Sequence, residues 1–213
     1  MSDIDDLRAR LRIELHDEDS GAYRWEDAVL DRHLLRAVRD LSFGWPREQK
    51  TTLSTSAGSR DVSLATLTDL VRVYAVEYPV GRFPASLVQH SVFAGTLTLL
   101  TEQAPAGVED VDVFWGGVHM LDESTSTIPT VAEDVVITGA AGFAAVELAS
   151  FATNRANVGG PETTRHYMDW GERLLRRFHE SLREFGDRAR VRPSSLYAAA
   201  GEAGSQSTVR WEG

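Results

Sequence analysis

The sequence predicts an α+β fold: an α-helical bundle of about four helices with an inserted small antiparallel β lobe and an extended C-terminal tail. Three observations predict it. Apolar residues recur at helical spacing in the first part of the chain and again after about residue 130. Between Gln49 and about Leu121 they give way to short β-branched and aromatic runs broken by Gly, Pro and Ser. After Phe185 the apolar pattern stops, and the chain becomes small, polar and Arg-rich. With 213 residues, the chain is long enough for one good core or two small lobes. The predicted division is 1–48 for an N-terminal helical pair, 49–125 for the β lobe, 126–187 for a second helical pair that completes the bundle, and 188–213 for a partner-binding tail.

Helix one is expected over Asp3–His16. Leu7, Leu11 and Leu15 repeat at four, with Ile4 a turn earlier, and Asp3, Asp5 and Asp6 suit the positive end of its dipole. Helix two is expected over Asp27–Phe43, with Leu30, Leu34, Val38 and Leu41 on one face and Arg32, Arg36, Arg39 and Asp40 off it. Glu26 stands at the N-cap and is a poor cap. Trp25 precedes it and is placed to fold onto Leu30 as a hydrophobic staple, so Trp25 and Leu30 are read as a structural pair that sets the entry angle of the helix. Gly44 and Pro46 read as the stop.

In the β lobe the strand-like stretches are "TTLST", "RDVSL", "LVRVYAVEYP", "GTLTLL" and "VDVFWGGVHM", with "VFAG" and "EQAPAG" among the turns. Strict alternation would set Val71, Val73 and Ala75 against Arg72, Tyr74 and Val76. It would likewise set Val111, Val113 and Trp115 against Asp110, Asp112 and Phe114.

Helix three starts near Thr130, where Thr130 and Glu133 fit a capping box. Its body is rich in Gly139, Ala140, Gly142, Ala144, Ala145 and Ala149. An exposed helical glycine costs roughly 1 kcal/mol relative to alanine, so these small residues predict a crowded crossing with another backbone. "NVGGPETT" reads as a hairpin connection. Helix four is expected from Thr164 to Phe185, with Gly186 as its cap.

The net charge of −10 argues against a general DNA-clamping surface. No Lys or Arg occurs between Arg82 and Arg155, an interval that contains Glu102, Glu109, Asp110, Asp112, Asp122 and Glu123. This interval reads either as a solvated acidic face or as one end of a molecule whose two ends meet different partners. There is no cysteine, and hence no disulfide or thiolate metal site. The N-terminus has acids where a secretory signal needs basic residues, and the most apolar stretch, Val135–Ala152, carries Glu147. A cytosolic protein without a membrane span is expected.

Catalytic signatures are not found: the six histidines form no HExxH pair, and there is no GxSxG, P-loop or dinucleotide fingerprint. "HDED" at His16–Asp19 lacks the glycine and spacing of a calcium loop and reads as a solvated connection rather than a cation site. No cofactor and no metal are expected, and the chain is read as not an enzyme.

The order of elements resembles the head-to-tail connector (adaptor) proteins of tailed bacteriophages. The resemblance is carried by "YRWEDAVLDRHLLRAVRDL", by a β insertion, by the return through "STIPTVAEDVVITGAAGFAAVELA", and by a last charged helix "RHYMDWGERLLRRFHESLREF". It covers about Ile4–Phe185 in pattern, with Glu26 where that family has a better cap. The resemblance implies a virion neck protein assembled in the host cytoplasm. It implies a homo-oligomeric ring, commonly dodecameric, that docks under the portal protein, prolongs the DNA channel and offers a platform to a tail or neck protein. It also implies that Arg188, Arg190, Arg192, Leu196, Tyr197 and Trp211 form a portal-binding tail. Some of Glu102, Glu109, Asp110, Asp112, Asp122 and Glu123 are then expected at the channel or its rim, where carboxylates repel passing DNA that is not specifically bound. Another neck or tail-completion protein, or a small ligand-binding protein or enzyme, are the alternatives.

Overall fold

The computed structural model describes residues 2–153 and 161–189, and it is α+β. The described residues form α1 (Ile4–Glu14), α2 (Asp27–Gly44), β1 (Arg47–Ser54), β2 (Asp61–Ser63), β3 (Leu70–Glu77), β4 (His90–Phe93), β5 (Thr96–Leu99), β6 (Asp110–Gly117), α3 (Thr130–Thr153) and α4 (Pro161–Ala189). They divide into a helical unit, Met1–Arg47 with Val118–Asp187, and a β unit that spans Glu48–Gly117.

In the helical unit, Asp3 caps α1 by accepting a hydrogen bond from the Asp6 amide at 2.9 Å. Helices α1 and α2 run antiparallel, as the Arg8–Asp31 and Arg12–Asp27 ion pairs show. Leu7, Leu11, Leu30, Leu34 and Leu41 are fully buried in one cluster with Val136, Ala140, Ala144 and Phe178. Each such leucine contributes roughly 1.5–3 kcal/mol relative to an exposed one. Helix α3 is apolar nearly all round because it lies at the centre of this cluster. It is the one helix among the described residues long and apolar enough to cross a membrane, and 56% of that stretch is buried inside the chain.

The crowded crossing expected of α3 is present. A Cβ on Gly139 would lie 2.8 Å from the Phe178 ring, and one on Gly142 would lie 2.9 Å from Leu175. The two glycines expected to end helices do something else. Gly44 is the last residue of α2, where a Cβ would lie 3.2 Å from Leu182, and Gly186 lies inside α4, where a Cβ would lie 3.0 Å from the Gly44 carbonyl oxygen. Both admit the close approach of α2 and α4, and neither has the left-handed conformation of a glycine cap. The Thr130–Glu133 capping box does not form. Glu133 is buried and accepts from Arg10 at 2.6 Å and Ser2 at 3.1 Å, tying α3 to α1. The proposed hairpin "NVGGPETT" falls partly outside the described residues, and α4 has already begun at Pro161.

The β unit holds two three-stranded sheets, ordered β1-β6-β3 and β2-β5-β4. One buried cluster draws on both: Val76, Val111, Val113 and Trp115 from the first, Val62, Leu97 and Leu99 from the second. Strand β4 lies partly in a stretch expected to be a turn. Only Ala94 and Gly95 form the turn, both with positive φ, as a two-residue type I′ hairpin requires. The strict alternation expected of β3 fails because its pairing with β6 shifts at Leu70/Arg72 and Val73/Ala75.

Candidate assembly surfaces

The α1–α2 corner is built from the end of α1. The Asp17 amide donates to the Arg12 carbonyl at 2.9 Å and the His16 amide to the Ile13 carbonyl at 3.1 Å, a Schellman closure with His16 in the left-handed position at φ 52. The turn carries Asp17 inward. Its carboxylate accepts from Arg12 at 2.7 Å and from the amides of Arg24 at 2.7 Å and Trp25 at 3.3 Å. The Arg12 guanidinium also donates to the Trp25 carbonyl at 3.0 Å and to Asp27 at 2.6 Å, and it stacks on Tyr23 at 3.6 Å. The hydrogen bond from Arg12 holds the Asp27 carboxyl below its ordinary range.

Both backbone polar groups of Trp25 are therefore gripped by the Arg12–Asp17 pair, while its side chain joins the core cluster that contains Leu30. The helix entry is thus held by polar contacts to the Trp25 backbone as well as by burial of its ring. Glu26, as expected of a poor cap, makes no side-chain capping bond. The solvated loop read at "HDED" is corrected at Asp17, which is buried and committed to Arg12. No group that could hold a metal ion occurs among the described residues.

On the outer side of this corner a cavity of about 580 Å³ opens, lined by Ile13, Glu14, His16, Arg24, Tyr167 and Trp170. The Arg24 guanidinium donates to the Tyr167 hydroxyl and lies over the rings of Trp25 and Tyr167. Ile13 is 56% exposed, Glu14 beside it is exposed, and so are Glu18 and Asp19 in the turn that follows.

The outer face of α2 is apolar and basic. Leu35 is 43% and Phe43 57% exposed. At helical spacing, Leu35, Arg39, Arg32, Phe43 and Arg36 fall within about 100° of arc, opposite the buried stripe. Arg32 pairs with Glu147 at 2.6 Å, and Arg36 lies 3.9 Å above the Phe143 ring. Arg39 has no ion pair among the described residues. Beneath this face His33 is buried against Phe143, and burial pushes its pKa down, opposed by Glu147 at 3.3 Å.

The segment that returns from the β unit is pinned by His119. Its amide donates to Ser42 Oγ at 2.9 Å, and its ring nitrogens lie 3.0 Å from the Trp45 carbonyl and 2.9 Å from the Thr127 carbonyl. Burial pushes this histidine's pKa down too, against those two carbonyls. Nothing in the local sequence marks either histidine, because their partners come from distant segments.

The acids expected at a channel or rim divide. Glu102 and Asp110, in the β unit, and Asp122 and Glu123, in the helical unit, are exposed. Asp122 accepts from the amides and hydroxyls of Ser124 and Thr125, which lower its carboxyl pKa to about 2. Glu109 is half-buried and accepts from the Tyr78 hydroxyl at 2.5 Å. Burial, with this carboxylate beside it, pushes the Tyr78 phenol up to about 12. Asp112 is a correction. It is 1% exposed, pairs with Lys50 at 2.5 Å and accepts from Thr52 at 2.5 Å, so it is spent inside the β unit. A carboxylate desolvated in this way cannot present charge to solvent.

Of the tail residues, Arg188 falls within α4 and is helical where extended chain was expected. Arg190, Arg192, Leu196, Tyr197 and Trp211 lie outside the described residues. The β unit exposes large apolar side chains that sequence reasoning did not single out: Phe83, Phe93 at the β4–β5 turn, and Val108.

No family model and no curated protein matches the chain. Among solved structures it is similar to one described as the neck of an empty GTA particle computed with C6 symmetry, at 16% identity and a TM-score of 0.29, over 78% of this chain and 87% of that chain.

Proposed function

We propose that this chain is a non-catalytic virion subunit, a head-to-tail adaptor that assembles as a ring in the neck of a phage-like particle. In this reading the ring docks under the portal, extends the DNA channel and gives the tail its platform. The observation that carries it is the element order. Helices α1 and α2 are separated from α3 and α4 by the whole β unit, yet the four helices share one cluster. That is the arrangement for which the sequence resembles the adaptor family. The exposed Phe83, Phe93, Val108, Leu35 and Phe43 support it, since a ring subunit buries such side chains against neighbours.

The residues from Arg188 to Trp211 are proposed to hold the portal, with Leu196, Tyr197 and Trp211 as anchors and the arginines as charge-assisted contacts. Glu102, Asp110, Asp122 and Glu123 are the proposed channel or rim carboxylates, and Asp112 is left out. The test is to image purified particles with this chain labelled and to measure its size in solution with and without portal rings. Label at the neck and a shift to a ring-sized species on portal are expected. Label elsewhere in the particle, or none, would overturn the reading. The charge role is tested separately by neutralising Glu102, Asp110 and Glu123 together. Unchanged packaging and ejection would remove it.

A further inference from the structure

The geometry points to a head-to-tail contact between copies of this chain, in which Phe43 and Arg39 on α2 of one copy enter the cavity and acidic rim at the α1–α2 corner of the next. The inference deepens the ring reading and rests on it only for ring closure. The contact itself needs nothing but two copies of the chain.

The two surfaces are complementary. The corner offers a cavity of about 580 Å³ in which the apolar Ile13, Leu15, Tyr167 and Trp170 stand beside the polar Glu14, His16 and Arg24. Glu14 lines it and Glu18 and Asp19 follow in the adjoining turn, all three exposed and, among the described residues, without an ion pair. The guanidinium of Arg24, the cation inside the cavity, is already committed to the Tyr167 hydroxyl and the flanking rings. The α2 face offers the converse, an aromatic side chain 57% exposed and an arginine with no ion pair, flanked on one side by Asp40. Placing Phe43 in the cavity would bring Arg39, one turn back on the same stripe, toward the acidic rim.

The two surfaces also lie where a chain of copies requires them. Because α1 and α2 are antiparallel, with Arg12 opposite Asp27, the corner sits at the start of α2, whereas Phe43 sits at its end. Phe43 lies sixteen helical steps beyond Asp27, about 24 Å along the axis. Each copy thus carries a receptor at one end of the helical hairpin and a plug at the other. Such a contact is heterologous and repeats from copy to copy, closing into a ring when the rotation allows.

The absence of cysteine makes a direct test possible. Full-length Ser20→Cys, beside the corner, and Asp40→Cys, beside Phe43, leave both surfaces intact; they are prepared separately, checked for unchanged melting, and treated with a short bis-maleimide alone and mixed. The expected result is that the mixture yields heterodimer in about tenfold or greater excess over either homodimer, and that the double variant yields a ladder. Arg39→Glu in the Asp40→Cys chain should cut heterodimer by about tenfold, and Glu14→Arg with Glu18→Arg in the other chain should restore it. Equal yields of all dimers, no cross-link at the highest soluble concentration, or no rescue by the double charge reversal overturns the contact. If the cross-links form but labelled chain is missing from particle necks, the adaptor reading fails and the contact stands. If the label sits in the neck and these cross-links do not form, the reverse holds.

Discussion

Gly142 and Gly171 face each other across α3 and α4, so close that a Cβ on Gly171 would lie 3.0 Å from the Gly142 carbonyl oxygen and one on Gly142 would lie 3.2 Å from that of Gly171. Leu175 at 2.9 Å and Val146 Cγ2 at 2.8 Å crowd the same two places, and the backbone atoms behind them cannot move away as a side chain could. Gly171→Ala is therefore expected to cost about 1–3 kcal/mol, the usual penalty of overpacking a tight core. Gly21→Ala, whose Cβ would meet only Asp19 Oδ1 at 3.4 Å, should stay within about 0.5 kcal/mol of the parent. Urea unfolding of both variants decides it, and equal midpoints would contradict the close crossing.

The buried Arg12–Asp17 pair gives a second test. Arg12→Met leaves a carboxylate in the core with only two amide donors, and losing one partner of a buried pair costs about 3–5 kcal/mol. Arg32→Met breaks a pair whose side chains are 59% and 45% exposed, and such exposed pairs are worth about 1 kcal/mol or less. Trp25→Ala, which empties the site this pair frames, should fall in the range of about 3–5 kcal/mol. A Trp25→Ala chain that melts like the parent would place the tryptophan in a contact surface instead.

Among the described residues three non-glycine positions have left-handed backbone: His16 at φ 52, Asp69 at φ 59 and Ala94 at φ 46, of which aspartate tolerates it best. His16→Gly and Ala94→Asn should each stabilise the isolated chain by up to about 1 kcal/mol through relief of backbone strain, read as a higher melting temperature. Gly58→Ala, at φ 75 with open space around it, should do the opposite, which separates backbone strain from packing. A drop in melting temperature for the first two would show that their side chains matter more than their backbones.

The pH dependence follows from groups whose folded-state pKa is displaced. His33 and His119 are lowered from 6.5 by burial, so below that value the unfolded chain takes up protons that the folded chain resists. Their contribution is intact above about pH 6.5 and declines as pH falls through the folded-state values. A further loss follows below 3.8, as Asp27 and Asp122, both lowered, are forced to protonate. At the alkaline end Tyr78 is raised from 10.0 to about 12, so the unfolded chain ionises first and stability falls as pH climbs through that window. Melting temperature against pH should show all three regions. Replacing His33 and His119 together with uncharged residues should flatten the segment below pH 6.5, and an unchanged slope there would assign it to other groups.

The sequence by itself determined the class of fold, the position of every helix to within a few residues at its predicted start, and the crowded crossing at α3. These are local or periodic properties: Leu7, Leu11 and Leu15 recur at helical spacing whatever they touch, and Gly139 and Gly142 are costly in any helix unless something lies against them. Only the tertiary structure decided what the polar and special residues do. Asp112 and Asp17 read as exposed acids until distant Lys50 and nearby Arg12 were brought to them. Gly44 and Gly186 read as helix stops until α2 and α4 were laid together. Whether a charge is buried, or a missing Cβ leaves a turn or a contact, depends on which segment arrives from elsewhere in the chain, and spacing along the sequence carries no trace of that.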